Sequence, residues 1–128
     1  MFHGNLDRDT TVLIISEEET MKMDIQENHE TSAYSQLRII SIQEFNEIVF
    51  SDSEITLIMI DVLAILGQNK AILNTIRKEK PSVPLILLSR HLCPETLKLA
   101  AIYHFQEVIQ LPVKHETIQT LINKYVKK

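Results

Sequence analysis

The sequence predicts an α/β domain with a parallel β-sheet buried between two layers of helices. Five short apolar runs recur along the chain, and segments in which apolar residues follow the helical period separate them. The runs at residues 55–60 and 84–88 are apolar on both sides of an extended chain. Strands of this kind are typical of parallel sheets, because helices cover both of their faces. A length of 128 residues fits one domain, which we expect to span residues 1–128.

The predicted strands are rich in leucine and β-branched residues, which favour extended structure. They cover residues 11–15, 36–42, 55–60, 84–88 and 107–111. A (βα)5 order with right-handed crossovers predicts a doubly wound sheet. Five strands fit the flavodoxin-like strand order 2-1-3-4-5, in which the functional crevice lies at the carboxyl ends of the strands.

Helices are predicted between and after the strands. They cover residues 18–28, 41–50, 70–78, 94–104 and 116–125. Ser41 and Glu44 have the spacing of a capping box, which marks the start of the second helix. Pro94 suits the first turn of the fourth helix. The last helix has the most regular period, and residues 18–28 have the least regular one.

Composition excludes several classes of function. The formal net charge of −4 and the pI of about 5.7 argue against direct nucleic-acid binding by this domain. The only glycines are Gly4 and Gly67, so neither a P-loop nor a Gly-x-Gly-x-x-Gly loop is present. We therefore expect no nucleotide cofactor bound through such loops.

The sequence also bears on the compartment. The first 15 residues lack the long apolar stretch of a signal peptide, and the apolar run 57–60 is too short to cross a membrane. The single cysteine, Cys93, cannot form an internal disulfide, which fits a reducing compartment. We expect a cytoplasmic domain that does not bind membranes.

Polar side chains stand where the predicted strands end. The first strand is followed by Ser16 and Glu17, the third by Asp61 and the fourth by Ser89. A parallel sheet brings these strand ends to one edge. Glu17 and Asp61 could together hold Mg²⁺, which needs only one or two carboxylates besides water and phosphate oxygens. An aspartate beside such a metal can also accept a phosphoryl group.

These residues resemble the receiver domains of bacterial response regulators over nearly the whole chain. "VLIISEE" resembles the acidic end of the family's first strand, with Ser16 where the first aspartate is usual and Glu17 at the second acid. "LIMIDVL" places Asp61 at the phosphoacceptor position. "PLILLSR" places Ser89 at the hydroxyl position that contacts the phosphoryl group in the family. "VIQLPV" matches the last strand, and the resemblance implies a cis peptide bond before Pro112.

The sequence departs from the family pattern at several functional positions. Leu111 replaces the lysine that pairs with the phosphorylated aspartate, and Val108 replaces the switch aromatic. Ile65 and Asn69 stand where a proline and a glycine are usual, and residues 104–105 replace a pair of small residues. Since leucine cannot stabilise phosphoryl charge, the chain resembles an atypical receiver.

Each candidate residue also has a structural interpretation. Asp61 and Glu17 are compatible with ordinary acids at strand ends, and Ser89 with a hydroxyl that caps a turn. Leu111 is compatible with apolar filling of a pocket that needs no cation. His91 and Cys93 are close in sequence, but the remaining histidines lack the spacing of a metal site.

Our first hypothesis is therefore a non-enzymatic pseudo-receiver that acts by protein–protein contact or dimerisation. The resemblance implies docking through the fourth helix, the fifth strand and the fifth helix, and a role in signal transduction or transcription regulation. The candidate residues of this interaction face are Ile102, Tyr103, Leu111 and Tyr125. The domain would then be the amino-terminal part of a longer regulator.

Two alternatives remain at this point. The first is a working receiver of a two-component phosphorelay, in which Asp61 accepts a phosphoryl group from a histidine kinase with Mg²⁺ bound by Glu17 and Asp61. The second is a flavin-binding flavodoxin-like protein. Flavin binding would need a phosphate loop after the first strand, and the acidic "SEEET" there would repel phosphate.

Overall fold

The apolar runs form a parallel sheet in a computed structural model, which describes residues 11–16, 36–46, 55–66 and 71–125. Within these ranges the sheet has five strands in the order β2-β1-β3-β4-β5, and every neighbouring pair is parallel. The strands are β1 (Thr11–Ile15), β2 (Gln36–Ile40), β3 (Ile55–Asp61), β4 (Leu85–Ser89) and β5 (Glu107–Gln110). The predicted fold class and strand order are confirmed.

Helices flank the strands within the described ranges. They are α1 (Ile42–Asn46), α2 (Val62–Ile65), α3 (Ala71–Glu79), α4 (Pro94–Ile102) and α5 (His115–Tyr125). The helix predicted over residues 18–28 lies outside the described residues. The predicted bounds of the other elements differ from the observed ones by a few residues, as is usual where helices and strands end.

The start of α1 has the capping box that the sequence predicts. The Glu44 backbone N–H donates to the Ser41 hydroxyl oxygen at 3.1 Å, and the Ser41 N–H donates to the Glu44 carboxylate at 2.9 Å. These bonds satisfy N–H groups that a helix start leaves without partners. They also explain why β2 ends at Ile40, short of the predicted residue 42.

Helix α2 was not predicted, because residues 62–65 resemble a loop in sequence. Its start is fixed by the side chain of Asp61, whose Oδ1 accepts a hydrogen bond from the Leu63 N–H at 3.0 Å. An aspartate at this position is among the best helix caps, so a single turn of helix forms directly after β3.

The sheet separates two apolar cores, because alternate side chains of each strand point to opposite faces. The first core packs the sheet against α1, α2, α3 and α4 and includes Leu13, Ile60 and Leu87. The second packs the other face against α5 and includes Leu57 and Met59. This arrangement confirms that the central strands are covered on both sides.

The turn between α4 and β5 is tied to α3 by Arg77. Its guanidinium donates to the carbonyl oxygens of His104 and Val83, both at 3.0 Å, and of Pro81 at 3.4 Å. His104 has a φ of 60°, in the left-handed region, which is sterically unfavourable for residues other than glycine. Partial burial lowers the pKa of Arg77, although a guanidinium stays charged in proteins.

No helix among the described residues is both long enough and apolar enough to cross a membrane.

Candidate functional site at the carboxyl edge of the sheet

The carboxyl ends of β1 and β3 bring Ser16 and Asp61 together. The Ser16 hydroxyl donates to Asp61 Oδ2 at 3.1 Å, although the residues are 45 positions apart in sequence. Ser16 is itself fixed by its backbone N–H, which donates to the Ile40 carbonyl at 2.9 Å. The residue that replaces the family's first acid is therefore a hydrogen-bond partner of the candidate phosphoacceptor.

Asp61 is enclosed by these contacts. Its two carboxyl oxygens accept from the Ser16 hydroxyl and from the Leu63 N–H, and the residue is 1% exposed. A phosphoacceptor must present a carboxylate oxygen to the incoming phosphorus atom. In this arrangement the side chain caps α2 and joins β3 to the end of β1.

Ser89, at the end of β4, bonds to the loop that follows it. Its hydroxyl donates to the His91 carbonyl at 2.8 Å and accepts from the His91 N–H at 3.3 Å. The residue is 3% exposed. This is the turn-capping arrangement that a serine at a strand end commonly adopts.

Leu111 lies inside the second core. It is 5% exposed and packs in the same cluster as Leu88 and Ile118. Its backbone N–H donates to the Ser89 carbonyl at 2.8 Å, and a cis peptide bond joins it to Pro112, as the resemblance implies. The Leu111 side chain is therefore part of the core, whereas the sequence predicted it on the surface of the interaction face.

Of the two residues predicted to bind Mg²⁺, the structure describes Asp61, whereas Glu17 lies outside the described residues. Within the ranges that the structure describes, no three or more His, Cys, Asp and Glu side chains are grouped so as to hold a metal ion. Magnesium binding by Glu17 and Asp61 therefore stays a prediction. Cys93 is a free cysteine, partly exposed at the start of α4.

The predicted interaction face is formed by α4, β5 and α5. Ile102 is exposed at the end of α4, and Tyr103 packs partly against the first core. Tyr125 donates its hydroxyl to Glu107 Oε2 at 2.6 Å, and the Lys124 ammonium donates to the same oxygen at 2.5 Å. These bonds fasten the end of α5 to the start of β5.

Sequence reasoning missed Glu107 and Lys124, because nothing in their spacing indicates that they meet. The hydrogen bonds from Lys124 and Tyr125 hold the pKa of the Glu107 carboxyl below its usual value of 4.5. The Lys124 ammonium also lies 5.3 Å from the centre of the Tyr125 ring, within the range of a cation–π contact.

Replacing Tyr125 with phenylalanine is expected to remove a pH-dependent contribution to stability. Because folding lowers the pKa of Glu107, the contribution is fully present above the unfolded pKa near 4.5 and is lost as the pH falls through the lower folded pKa. Loss of the hydroxyl should lower the unfolding free energy at pH 7 by about 0.5–1.5 kcal/mol.

The measurement is urea unfolding of the two proteins from pH 7 down to pH 3. The difference between them should stay constant to about pH 5 and then shrink, since protonated Glu107 is a weaker acceptor. Tyr103→Phe, in the turn after α4, is the matched control. A difference that does not depend on pH would contradict the role given to Glu107.

Large apolar side chains are exposed near the carboxyl edge of the sheet and on α4. Of these side chains the sequence singled out only Ile102, as a candidate of the interaction face, because an apolar residue in a short helix or loop carries no signal by itself of whether it is buried. They are Leu63, Leu66, Leu92, Leu97 and Ile102.

The strand order is that of the flavodoxin-like fold, which receiver domains share. No protein-family model matches the sequence, and no curated protein matches it. Solved structures do match over most of the chain. The signal receiver domain of an HD domain-containing protein from Pseudomonas fluorescens has a TM-score of 0.75 at 14% sequence identity, and the match covers 94% of this chain and 96% of that one.

Two further structures show the same similarity. A response regulator from Thermotoga maritima has a TM-score of 0.73 at 15% identity, covering 94% of this chain and 100% of that one. A CheY-like response regulator from Mesorhizobium loti has a TM-score of 0.72 at 18% identity, covering 91% and 98%. At these identities the likeness establishes the fold that the chain shares with receivers, and the fold alone.

Proposed function

We propose that the chain is an atypical receiver domain of a cytoplasmic signal-transduction or transcription-regulatory protein. It acts by protein–protein contact, not as an enzyme and not through phosphorylation of Asp61. The domain would form the amino-terminal part of a longer regulator. The receiver fold and the matches at the strand ends support the class of protein.

The enclosure of Asp61 is the observation that carries the proposal. Both carboxyl oxygens accept hydrogen bonds, and the residue is 1% exposed. To react with a phosphoryl donor, one of these oxygens would have to present a lone pair to the phosphorus atom while it accepts its hydrogen bond. It would also have to become exposed at the edge of the sheet.

Two neighbouring residues support the same interpretation. Stabilising a phosphoryl group requires a positive charge or a donor aimed at the developing negative charge. Leu111 supplies neither from its side chain, which is buried in the second core. The single hydroxyl proton of Ser89 is donated to the His91 carbonyl.

Contact would take place on the face formed by α4, β5 and α5, with a partner protein or a second copy of the chain. Ile102 is 59% exposed there, so its apolar side chain is accessible to a partner. The bonds from Tyr125 and Lys124 to Glu107 join α5 to β5 at one end of this face.

Amide NMR spectra of the labelled domain test the proposal. We expect no shifts at Ser16, Asp61 or Ser89 when Mg²⁺ is added at millimolar concentration, nor when beryllofluoride, which mimics an aspartyl phosphate, is then added. Shifts at these residues that vanish in Asp61→Ala would overturn the proposal. They would favour the alternative of a working receiver in which Asp61 accepts a phosphoryl group.

Leu111→Lys separates the two reasons for a silent site. If only the missing ammonium prevents binding, this variant should respond to beryllofluoride. If the enclosure of Asp61 prevents beryllofluoride binding, the folded variant should show no amide shifts, like the natural sequence. The dispersion of the amide spectrum reports whether the variant is folded.

A further inference from the structure

Side chains from three elements converge on the loop between β4 and α4, residues 90–93. The hydroxyls of Ser89 and Thr96 both donate to the His91 carbonyl, at 2.8 and 3.4 Å. From β5, the Gln110 side-chain amide donates to the Arg90 carbonyl at 3.1 Å. The loop is therefore tied to the strand before it, the helix after it and the neighbouring strand.

Two of the three donors are buried, whereas the Gln110 side chain and much of the loop are exposed. Ser89 and Thr96 are 3% and 6% exposed, whereas Arg90, His91 and Leu92 are exposed. A hydrogen bond whose donor is shielded from water meets less competition from solvent than one on the surface. Two buried hydroxyl groups, those of Ser89 and Thr96, therefore hold the exposed loop.

The hydroxyl protons are fully used in this arrangement. Serine and threonine each have one O–H to donate, and a carbonyl oxygen has two acceptor sites. Both sites of the His91 carbonyl are filled by Ser89 and Thr96. Thr96 Oγ1 also lies 3.3 Å from Cys93 Sγ, a contact in which either atom could be the donor.

We propose that these bonds form a conformational latch that holds the β4–α4 loop in one state without any signal at Asp61. The inference rests on the proposed function and deepens it, since it says how the α4 surface is fixed in a domain that does not respond to phosphorylation. Ser89 cannot donate to a group at the strand ends until its bond to His91 opens.

The latch also fixes an apolar surface. Leu92 in the loop is 46% exposed, and Leu97 on the first turns of α4 is 51% exposed. The Leu97 N–H donates to the Cys93 carbonyl at 3.1 Å, so loop and helix start are continuous. A surface held rigid before binding loses less conformational entropy when a protein partner docks on it.

Amide hydrogen exchange of the whole chain tests the latch. In Ser89→Ala/Thr96→Val, exchange of the His91 amide, whose N–H donates to Ser89, should become about tenfold faster or more. Ser89→Thr keeps the hydroxyl and should keep the protection. Unchanged exchange at His91 in the folded double variant would overturn the proposal.

Two controls make the result specific. Thr75→Val and Thr120→Val also remove hydroxyls that donate to backbone carbonyls, in α3 and α5, and should leave residues 90–93 unchanged. If the buried double variant does not fold, Gln110→Ala decides, because this side chain is exposed. Faster exchange in the loop supports the latch, and unchanged exchange overturns it.

The outcomes separate this inference from the proposed function. A beryllofluoride response that depends on Asp61, together with faster exchange in the double variant, would overturn the proposed function and leave the latch intact. A silent Asp61 with unchanged exchange would do the reverse.

Discussion

Replacing Leu111 with alanine is expected to lower the free energy of unfolding by about 2–5 kcal/mol. The residue is 5% exposed and packs in the cluster that joins the sheet to α5, together with Leu88 and Ile118. Truncation would leave a cavity beneath α5, because the surrounding strands cannot close around it. Urea unfolding followed by circular dichroism measures the change.

Leu97→Ala is the matched control, since it makes the same chemical change at a side chain that is 51% exposed on α4. Its cost should stay below about 1 kcal/mol. Leu111→Met, which nearly conserves volume, should cost less than about 1.5 kcal/mol. Equal costs for the two alanine variants would mean that position 111 is not core.

Replacing Arg77 with methionine is expected to lower the free energy of unfolding by about 2–3 kcal/mol. The variant keeps most of the apolar stem of the side chain but loses the donors to the carbonyls of His104, Val83 and Pro81. Arg77→Lys should recover little, because an ammonium cannot reproduce the planar fork of donors. Urea unfolding again gives the magnitude.

Lys78→Met, at the next and exposed position of α3, is the control and should change stability by less than about 0.5 kcal/mol. His104→Gly should stabilise the protein by about 1 kcal/mol, because glycine adopts a positive φ without steric cost. Similar costs for Arg77→Met and Lys78→Met would remove the role of Arg77 in holding the turn before β5.

Most of the sheet could be predicted from the sequence, because buried parallel strands leave a direct signal. Continuous apolar runs rich in β-branched residues identify β3 and β4, and the crossover rule then restricts their order. The capping box at Ser41 and Glu44 was equally direct, since its two bonds join residues three positions apart. Contacts between residues so close in sequence can be predicted without knowledge of the tertiary structure.

The contacts of the site could not be predicted to the same extent. The strand ends were expected to share one edge of the sheet, but Ser16 appeared in sequence only as a missing acid. Its bond to Asp61 depends on the registers of β1 and β3, which place side chains from distant parts of the chain together. Arg77 likewise resembles any solvated arginine of a helix until the fold brings three carbonyls to it.

The position of Asp61 has a consequence for how such chains are classified. The side chain caps a helix and accepts a hydrogen bond from the hydroxyl of Ser16, directly after β1, so selection for a stable fold would retain it even if no phosphoryl group ever reached it. An aspartate in this place is thus no marker of phosphorylation by itself. The neighbours that enclose or expose its oxygens are the better guide to whether a receiver-like sequence carries a signal.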